Sequence, residues 1–471
     1  MFNIMKKVFT VFISLLLICC TDDVNAGPQQ PGDGVEKMKP VIENEVYETL
    51  NYHSVDVTVK GISSLILKGS ADNVIVNSTV NLEGEDAWLF FTNVDIDQFR
   101  ESGLANKIRI NSANLKEGEN VDIIGYYHGC YIKPRVEDYI PLYVYKENDD
   151  TAYPVSLDKI YAGSEIPAGD NAISSIMLKR GHMLVMADNA DGTGNSKVFV
   201  AEKNNLKISL DSDLKNKVSF LRTVPWNYVN KKGIGGAFPK RKEVGIAWHY
   251  RWGVFDDDAT TFEHDYVPMF WSKATEEVID KVFQKKLTNH VLSFNEPDGK
   301  EQANLTPEEA LNRYPAILKL GLRTGSPACK EGQWKNWLAK FMEGCKQKNY
   351  RVDFIAIHWY DWGNWGNTQN PSPEDIDAMV NRLKNDIDNC YAKYGLPIWI
   401  TEFNANTNRD TETQIRFLEK ALPMLESHPH VERYAYFQPS KGTGDFLDDK
   451  GNLTEVAKTY GKVYSSPSYK Q

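Results

Sequence analysis

Two stretches, Phe294-Asn295-Glu296-Pro297 and Trp399-Ile400-Thr401-Glu402-Phe403, each end an apolar run with a glutamate. Runs of β-branched and aromatic residues of this length are typical of buried parallel strands. A carboxylate at such a position is costly to bury unless it is paired, hydrogen-bonded or functional. Active sites of (β/α)8 barrels lie at the C-terminal ends of the strands. The two stretches therefore favour such a barrel, with Glu296 and Glu402 facing one mouth.

The chain after Trp226 alternates strands with helical stretches, which is the pattern of parallel βα units. We predict eight strands, the number that closes a (β/α)8 barrel. They span 232–237, 244–250, 266–271, 291–296, 322–327, 354–360, 398–403 and 433–437. The connection 239–242 is too short for a helix, so the barrel departs from the ideal at its start.

Two helices between these strands carry terminal signals. Thr306-Pro307-Glu308-Glu309 combines a capping residue, a proline at the first helical position and a capping-box glutamate. We expect Pro315 to end that helix early. A second helix is predicted over 373–394, with one apolar face, a charged outer face, and Gly395 followed by Pro397 after its end.

The N-terminal half is predicted to be all-β, because short alternating runs are separated by glycine, asparagine and aspartate turns. We predict accessory domains at 45–136 and 137–228 ahead of a catalytic domain at 229–466. The second accessory domain resembles a βγ-crystallin module and contains a predicted hairpin around the turn 191–194. Periodicity alone leaves open whether this half is one domain or two.

Residues 1–20 have the pattern of an export signal: two lysines precede an apolar run, 8–18, that is too short to span a bilayer. Leu17-Ile18-Cys19-Cys20 resembles a bacterial lipobox, which implies lipidation of Cys20 as the mature N-terminus. A simple signal peptide with stray cysteines is the alternative.

Residues 21–44 have linker composition, and Thr21-Asp22-Asp23 is similar to the surface-export signals of Bacteroidetes lipoproteins. We therefore expect an outer-membrane lipoprotein that faces the cell surface and meets the membrane only through its lipid anchor.

The charge balance argues against a nucleic-acid partner. The chain carries 54 basic and 64 acidic residues with no strongly basic cluster, whereas nucleic-acid binding needs phosphate-neutralising patches. The four cysteines after position 20 have no zinc-ligand spacing, so we predict no structural metal, and no other cofactor is indicated. Cys390 lies on an apolar helix face and is predicted to be a buried thiol. One disulfide is possible among the four cysteines.

Five motifs in order resemble glycoside hydrolase family 128, a family of clan A endo-β-1,3-glucanases, over about 230–465. They are Val267-Pro268-Met269, Phe294-Asn295-Glu296-Pro297-Asp298, Ser326-Pro327-Ala328, His358-Trp359-Tyr360 and Trp399-Ile400-Thr401-Glu402-Phe403. The resemblance implies that Glu296 is the general acid/base and Glu402 the nucleophile, and that hydrolysis retains the anomeric configuration. It also implies that Asn295 hydrogen-bonds the sugar 2-hydroxyl. We expect repulsion from Glu402 to raise the pKa of Glu296.

Further substrate contacts are predicted from strand alternation and from aromatic residues near strand ends. His358 and Tyr360 should point into the mouth, and Trp359 away from it unless the strand bends. Each aromatic residue has two alternative roles, stacking on a sugar ring or packing in the core. The predicted substrate-binding residues are Asn295, His358, Trp359, Tyr360, Trp248, Tyr250, Trp271 and Trp362, with Trp252 and Trp365 as further stacking candidates.

Two alternatives remain open. Clan A hydrolases of mannan, xylan or β-1,4-glucan share the two glutamates and the preceding asparagine, so the same barrel could cleave another β-glycan. A surface lipoprotein that binds glycans without cutting them belongs to a different class, in which the two glutamates would be ion-paired structural residues. Loss of sugar release in Glu296→Gln with binding kept would favour the enzyme.

Overall fold

The computed structural model describes residues 38–255, 260–362, 371–438 and 442–469. The predicted signal with Cys20, and Trp365, lie outside the described residues. The chain divides into two compact units after Met38, and the fold described below is that of the second unit, Lys39–Gln471. None of the helices described combines the length and apolar content needed to cross a bilayer.

The N-terminal part is a coil of short strands that stack in parallel. Its elements are β1 Val41–Glu43, β2 Val46–Thr49, β3 Tyr52–His53, β4 Val57–Lys60, β5 Ser63–Leu67, β6 Ile75–Val76, β7 Val80–Glu83, β8 Ala87–Phe91, α1 Ile96–Glu101, β9 Ile108–Ile110, β10 Ala113–Asn114, β11 Val121–Tyr126 and β12 Gly129–Pro134. Strands β1, β4, β7 and β9 pair in parallel in one sheet, and β2, β5 and β8 do so in a second. Each turn of the chain thus adds one strand to each sheet, as in a short solenoid.

Two four-stranded antiparallel sheets follow. They contain β13 Leu142–Tyr145, β14 Tyr153–Val155, β15 Ile160–Ala162, β16 Ser175–Leu178, β17 His182–Ala187, β18 Ser196–Ala201, β19 Leu206–Ser209 and β20 Phe220–Pro225. Their orders are β14-β13-β16-β19 and β15-β20-β17-β18. The predicted hairpin is present as β17 and β18, with Met186 opposite Lys197. The division into two accessory domains and the βγ-crystallin likeness stay predictions.

The C-terminal half alternates strands and helices, and the α/β prediction is confirmed. Its elements are β21 Lys232–Gly235, β22 Trp248–Tyr250, β23 Asp265–Tyr266, α2 Glu276–Gln284, β24 His290–Val291, α3 Pro307–Leu318, β25 Arg323–Thr324, α4 Trp337–Lys348, β26 Ile355–Trp359, α5 Pro373–Tyr394, β27 Ile398–Phe403, α6 Thr411–Ser427, β28 Val431–Phe437 and α7 Glu455–Lys462. Six strands form a parallel sheet in the order β23-β22-β21-β28-β27-β26, and β24 pairs in parallel with β25.

Single parallel bridges extend the pairing between these two sheets. Met269 bridges to Leu292 just after β23 and β24, and Gly325 bridges to Phe354 between β25 and β26. Every predicted strand position therefore holds a strand. Several strands are shorter than predicted, and Pro268, which has no N–H to donate to a ladder, lies in one of the missing parts.

Helix α3 corrects one expectation. Its predicted capping box is present, with Thr306 and Glu309 each bonding the other's backbone N–H, but Pro315 lies inside the helix. A proline there removes the N–H that would bond the carbonyl of Leu311. The helix continues because its buried side chains, among them Tyr314 and Ile317, pack on the core, and such packing supplies most helical stability in proteins. Helix α5 has its predicted bounds and ends at Gly395, which has φ 65°.

All four cysteines in the described part of the chain, Cys130, Cys329, Cys345 and Cys390, are free and buried. Cys390 has no exposed surface, in agreement with its predicted place on the apolar face of α5. The disulfide for which the sequence left room is therefore not formed among these residues.

Candidate active site

Glu296 and Glu402 line one cavity of about 1300 Å³ at the C-terminal ends of the parallel strands. Glu402 lies within β27, and Glu296 follows β24. One carboxylate oxygen from each glutamate and a ring nitrogen of His358 lie within 4.8 Å of one another. The structure thus brings together the two glutamates that the sequence predicted to face one mouth.

The backbone at Glu296 is strained. Its φ is 38°, in the left-handed region that non-glycine residues seldom adopt. The conformation is held by its N–H, which donates to the carbonyl of Ala328 at 2.7 Å. Strain of this kind persists only where the surroundings enforce it, and it is common at functional sites.

His358 lies between the two carboxylates. Its Nδ1 is 3.0 Å from Glu296 Oε1 and 3.4 Å from Glu402 Oε2. Burial acts to lower the pKa of His358, but the charges of Glu402 and Glu296 and the hydrogen bond to Glu296 raise it above its usual value. The two carboxylates therefore stabilise the protonated form of the imidazole.

The pKa of Glu296 runs opposite to the expectation. Burial acts to raise it, but the hydrogen bond and charge of His358, with a contribution from Lys330, hold the pKa below its usual value. The predicted rise considered only repulsion from Glu402. The histidine between the two carboxylates reverses the sign, because a hydrogen-bond donor and an adjacent positive charge both favour the ionised carboxylate.

Glu402 is fixed by neutral donors on both oxygens. The hydroxyl of Tyr250 and the indole N–H of Trp252 lie 3.0 and 2.8 Å from Oε1. The hydroxyl of Tyr360 donates to Oε2. The expected steadying of Glu402 by Tyr360 is therefore observed, and these contacts leave the carboxylate little freedom to turn.

Asn295 lies beside Glu296 and is 4 % exposed. Its side-chain N–H donates to Gln302 Oε1 at 3.2 Å. Its Oδ1 is buried and has no hydrogen-bond partner among the described residues. A buried acceptor without a partner in a cavity wall is costly unless a ligand donor completes it, which fits the predicted contact with a sugar hydroxyl.

The rings of three aromatic residues predicted to bind substrate are buried in packing contacts, although Trp359 is also part of the cavity lining. Trp248 has no exposed surface and packs in the core, where its indole donates to the carbonyl of Lys231 at 2.9 Å. The ring of Trp359 stacks on Phe417, 5.5 Å between centroids, because alternation along β26 turns it toward α6. Tyr250 is fully buried and contacts Glu402. None of these three rings is free to stack on sugar.

Other predicted residues do line the cavity, including Trp271, Trp252, Tyr360 and Trp362. Trp362 is 46 % exposed. Sequence reasoning missed the polar part of the wall, because these residues lie on loops and on a helix face where polar side chains are normal. The missed polar residues are Gln302, Lys330, Glu331, Lys335, Asp361, Arg382, Asn385, Asp386, Asn389, Asn404, Thr407 and Gln438.

Within the described ranges, Glu296, His358 and Glu402 are also the group whose ligand atoms are close enough to hold a metal ion. Histidine binds a metal through a deprotonated ring nitrogen. Here Nδ1 is hydrogen-bonded to Glu296, and the raised pKa of His358 favours the protonated ring over the metal-binding form. The arrangement is therefore suited to holding and moving a proton between carboxylates.

An α/β fold with two glutamates in one large cavity, Glu402 buried and Glu296 half-buried, is typical of a glycoside hydrolase, the class predicted from the sequence. Residues 225–460, half of the chain, match the family model described as "Glycosyl hydrolase catalytic core". The chain belongs to that family, and the prediction that it is a glycoside hydrolase is confirmed.

One curated protein is similar to about half of the chain. Alkali-sensitive linkage protein 1 of Schizosaccharomyces pombe is 30% identical over 267 residues, which cover 52% of this chain and 45% of that protein. The chain thus spans about half the length of this relative.

Solved structures of glycoside hydrolase family 128 are among those similar to the chain. One is a subgroup I endo-β-1,3-glucanase from Amycolatopsis mediterranei bound to laminaritriose, with 28% identity, a TM-score of 0.43, and coverage of 49% of this chain and 98% of that one. Another is a subgroup III curdlan-specific exo-β-1,3-glucanase from Blastomyces gilchristii, with 28% identity, a TM-score of 0.38, and coverage of 50% and 98%.

Proposed function

We propose that the protein is a retaining glycoside hydrolase that cleaves β-1,3-glucan, with Glu296 as acid/base and Glu402 as nucleophile. The observation that carries the proposal is the spacing of the glutamates, whose nearest ligand oxygens lie within 4.8 Å. Retaining enzymes hold their carboxyl groups about 5–5.5 Å apart, and inverting enzymes about 6.5–9.5 Å. The choice of β-1,3-glucan rests on the five ordered motifs.

In the first step Glu402 attacks the anomeric carbon while the glycosidic C–O bond breaks. Glu296 gives a proton to the departing oxygen, and a glycosyl ester forms on Glu402. In the second step water attacks the same carbon and gives its proton to Glu296. The ester bond breaks, and the Glu402 carboxylate is restored with net retention at the anomeric centre.

The proton for the first step is held by His358 in the free protein. Its Nδ1 lies 3.0 Å from Glu296 Oε1, the pKa of His358 is raised, and that of Glu296 is lowered. Transfer along this hydrogen bond converts Glu296 to the acid as the glycosidic oxygen develops charge. His358 is thus a positioning and proton-holding residue that acts through Glu296.

We further propose that the eight parallel strands close into a (β/α)8 barrel. The six-stranded sheet, the β24–β25 pair and the bridges Met269–Leu292 and Gly325–Phe354 give each strand a partner on both sides. Closure explains why both glutamates line one cavity, because catalytic residues of such barrels lie at the C-terminal ends of different strands.

The test compares the wild type with Glu402→Gln and Glu296→Gln on laminarin, β-1,4-glucan, β-mannan and xylan. We expect the wild type to release oligosaccharides from laminarin and both variants to lose at least about 1000-fold in rate, the loss typical of removing an essential catalytic group. Cleavage of another glycan would keep the mechanism and discard the substrate. Laminarin bound but not cleaved by the wild type would favour the non-catalytic glycan-binding protein.

The export signal also remains a proposal. We propose that Cys20 carries a lipid that anchors the protein at the outer membrane. Radiolabelled palmitate should enter the wild-type protein in cells and not Cys20→Ser, and labelling of both would contradict the assignment.

A further inference from the structure

The catalytic cavity extends well beyond the two glutamates. Its lining also includes Tyr360, Trp362 and one face of α5, formed by Arg382, Asn385, Asp386 and Asn389. These four residues follow the i, i+3, i+4, i+7 spacing of a single helical face. The volume of about 1300 Å³ exceeds the roughly 300–1000 Å³ of a pocket for a drug-sized ligand. The cavity therefore has room for several sugar rings.

The α5 face is held in place by a buried carboxylate. Arg382 donates through Nε and Nη2 to Asp361 at 2.7 and 2.6 Å. Asp361 is 1 % exposed and also accepts from Arg409 at 2.9 Å. A bidentate pair of this kind fixes the guanidinium plane, so Arg382 presents a pre-positioned group at the cavity wall.

Opposite charges and amides alternate on this wall. Asp386 Oδ1 lies 3.8 Å from Nζ of Lys335, which ends a short 3-10 helix, and both residues line the cavity. Burial raises the pKa of Asp386, while a hydrogen bond from Trp334 and the charge of Lys335 act to lower it. Asn385 and Asn389 are exposed and supply one donor and one acceptor group each.

We propose that this α5 face is a remote subsite that binds a sugar ring of the same glycan chain whose scissile bond lies between Glu296 and Glu402. Each sugar hydroxyl is both donor and acceptor, and interleaved carboxylate, amide and cationic groups match several hydroxyls at once. The exposed ring of Trp362 lines the same cavity, with its centroid 6.3 Å from that of Tyr360, and offers an aromatic face to a sugar ring. The inference rests on the proposed function and makes the enzyme selective for long chains.

The test uses Asn385→Ala and Asn389→Ala, with Asn381→Ala as the matched control. Asn381 is exposed on the same helix and does not line the cavity. Alanine is a better helix former than asparagine, so none of the three changes weakens α5. We measure kcat/KM on β-1,3-gluco-oligosaccharides of increasing length, up to soluble laminarin.

Each cavity variant should lose about 3- to 10-fold in kcat/KM on the long substrates, the effect of one neutral hydrogen bond. On the shortest substrate that the wild type cleaves, and in Asn381→Ala at every length, kcat/KM should be unchanged. A length profile equal to that of the wild type would overturn the subsite and leave the proposed function standing. Failure of the wild type on every oligosaccharide would overturn both.

Binding gives a readout that does not depend on turnover. In the Glu402→Gln background, calorimetry with the longest oligosaccharide should give a Kd about 3- to 10-fold weaker when Asn389→Ala is added. An unchanged Kd would contradict the subsite even if hydrolysis proved slow.

Discussion

Replacing Tyr360 by phenylalanine tests how Glu402 works as a leaving group. The Tyr360 hydroxyl donates to Glu402 Oε2, while Tyr250 and Trp252 contact Oε1 at 3.0 and 2.8 Å. In the glycosyl ester Glu402 is neutral, and it regains its charge as the ester breaks. A hydroxyl placed on Oε2 stabilises that developing charge, so its loss should slow the second step.

The structure sets the size of the effect. A hydrogen bond to a charged group contributes about 1.5–3 kcal/mol, and each 1.36 kcal/mol corresponds to a factor of ten in rate. The full range is thus about 10- to 150-fold. Because the donors to Oε1 remain in the variant, we expect the lower part, about 10- to 30-fold in the rate of ester breakdown.

The assay is pre-steady-state kinetics on an aryl β-laminaribioside, whose activated leaving group makes the first step fast. Tyr360→Phe should show a burst of released phenol followed by a slow steady rate. Tyr434→Phe is the control, because its hydroxyl also donates to a glutamate, Glu426, but neither residue lines the cavity. A steady rate within two-fold of the wild type and no burst in Tyr360→Phe would refute the reasoning.

Three further changes probe the site and the fold. In the wild type, the raised pKa of His358 sets the basic limb of the pH profile of kcat/KM. In His358→Asn the proton must come from Glu296 alone, so this limb should move to lower pH. An unmoved limb would contradict the role of His358 in holding the proton. Trp362→Ala should raise KM about 2- to 12-fold with kcat unchanged, as expected from the loss of an aromatic contact, and an unchanged KM would exclude stacking. Gly344→Ala places a Cβ 2.2 Å from a methyl of Leu311 and should lower stability by about 1–3 kcal/mol by overpacking. A higher melting temperature there would mean that helix propensity outweighs the clash.

Local signals predicted the elements that carry the glutamates. Strand β27 has its predicted bounds, Ile398–Phe403, because a short apolar run between a Gly-x-Pro stop and a polar loop has few alternative structures. The same reasoning failed at Pro315, where long-range packing outweighed the local cost of proline. The parallel coil of the N-terminal half was missed because alternation identifies a strand but not its partner.

The geometry of the site depends on register, which the sequence does not determine. A register shift between Ile357 and His358 places His358 opposite Glu402. Regular alternation predicted that His358 points inward, but it did not predict that its ring lies between two carboxylates. The expected shift in the pKa of Glu296 therefore had the wrong direction. The α5 face was missed for a different reason: an exposed polar helix face is typical of solvent contact, and only the fold places a cavity against it.

The most direct test of the central claim is the anomeric configuration of the first product. NMR spectra recorded during the first minutes of laminarin hydrolysis distinguish α- and β-reducing ends before mutarotation mixes them. Our account predicts that the β-anomer appears first, because Glu402 and then water attack the same carbon in turn. An initial excess of the α-anomer would mean a single displacement by water and would contradict the assignment of Glu402 as the nucleophile.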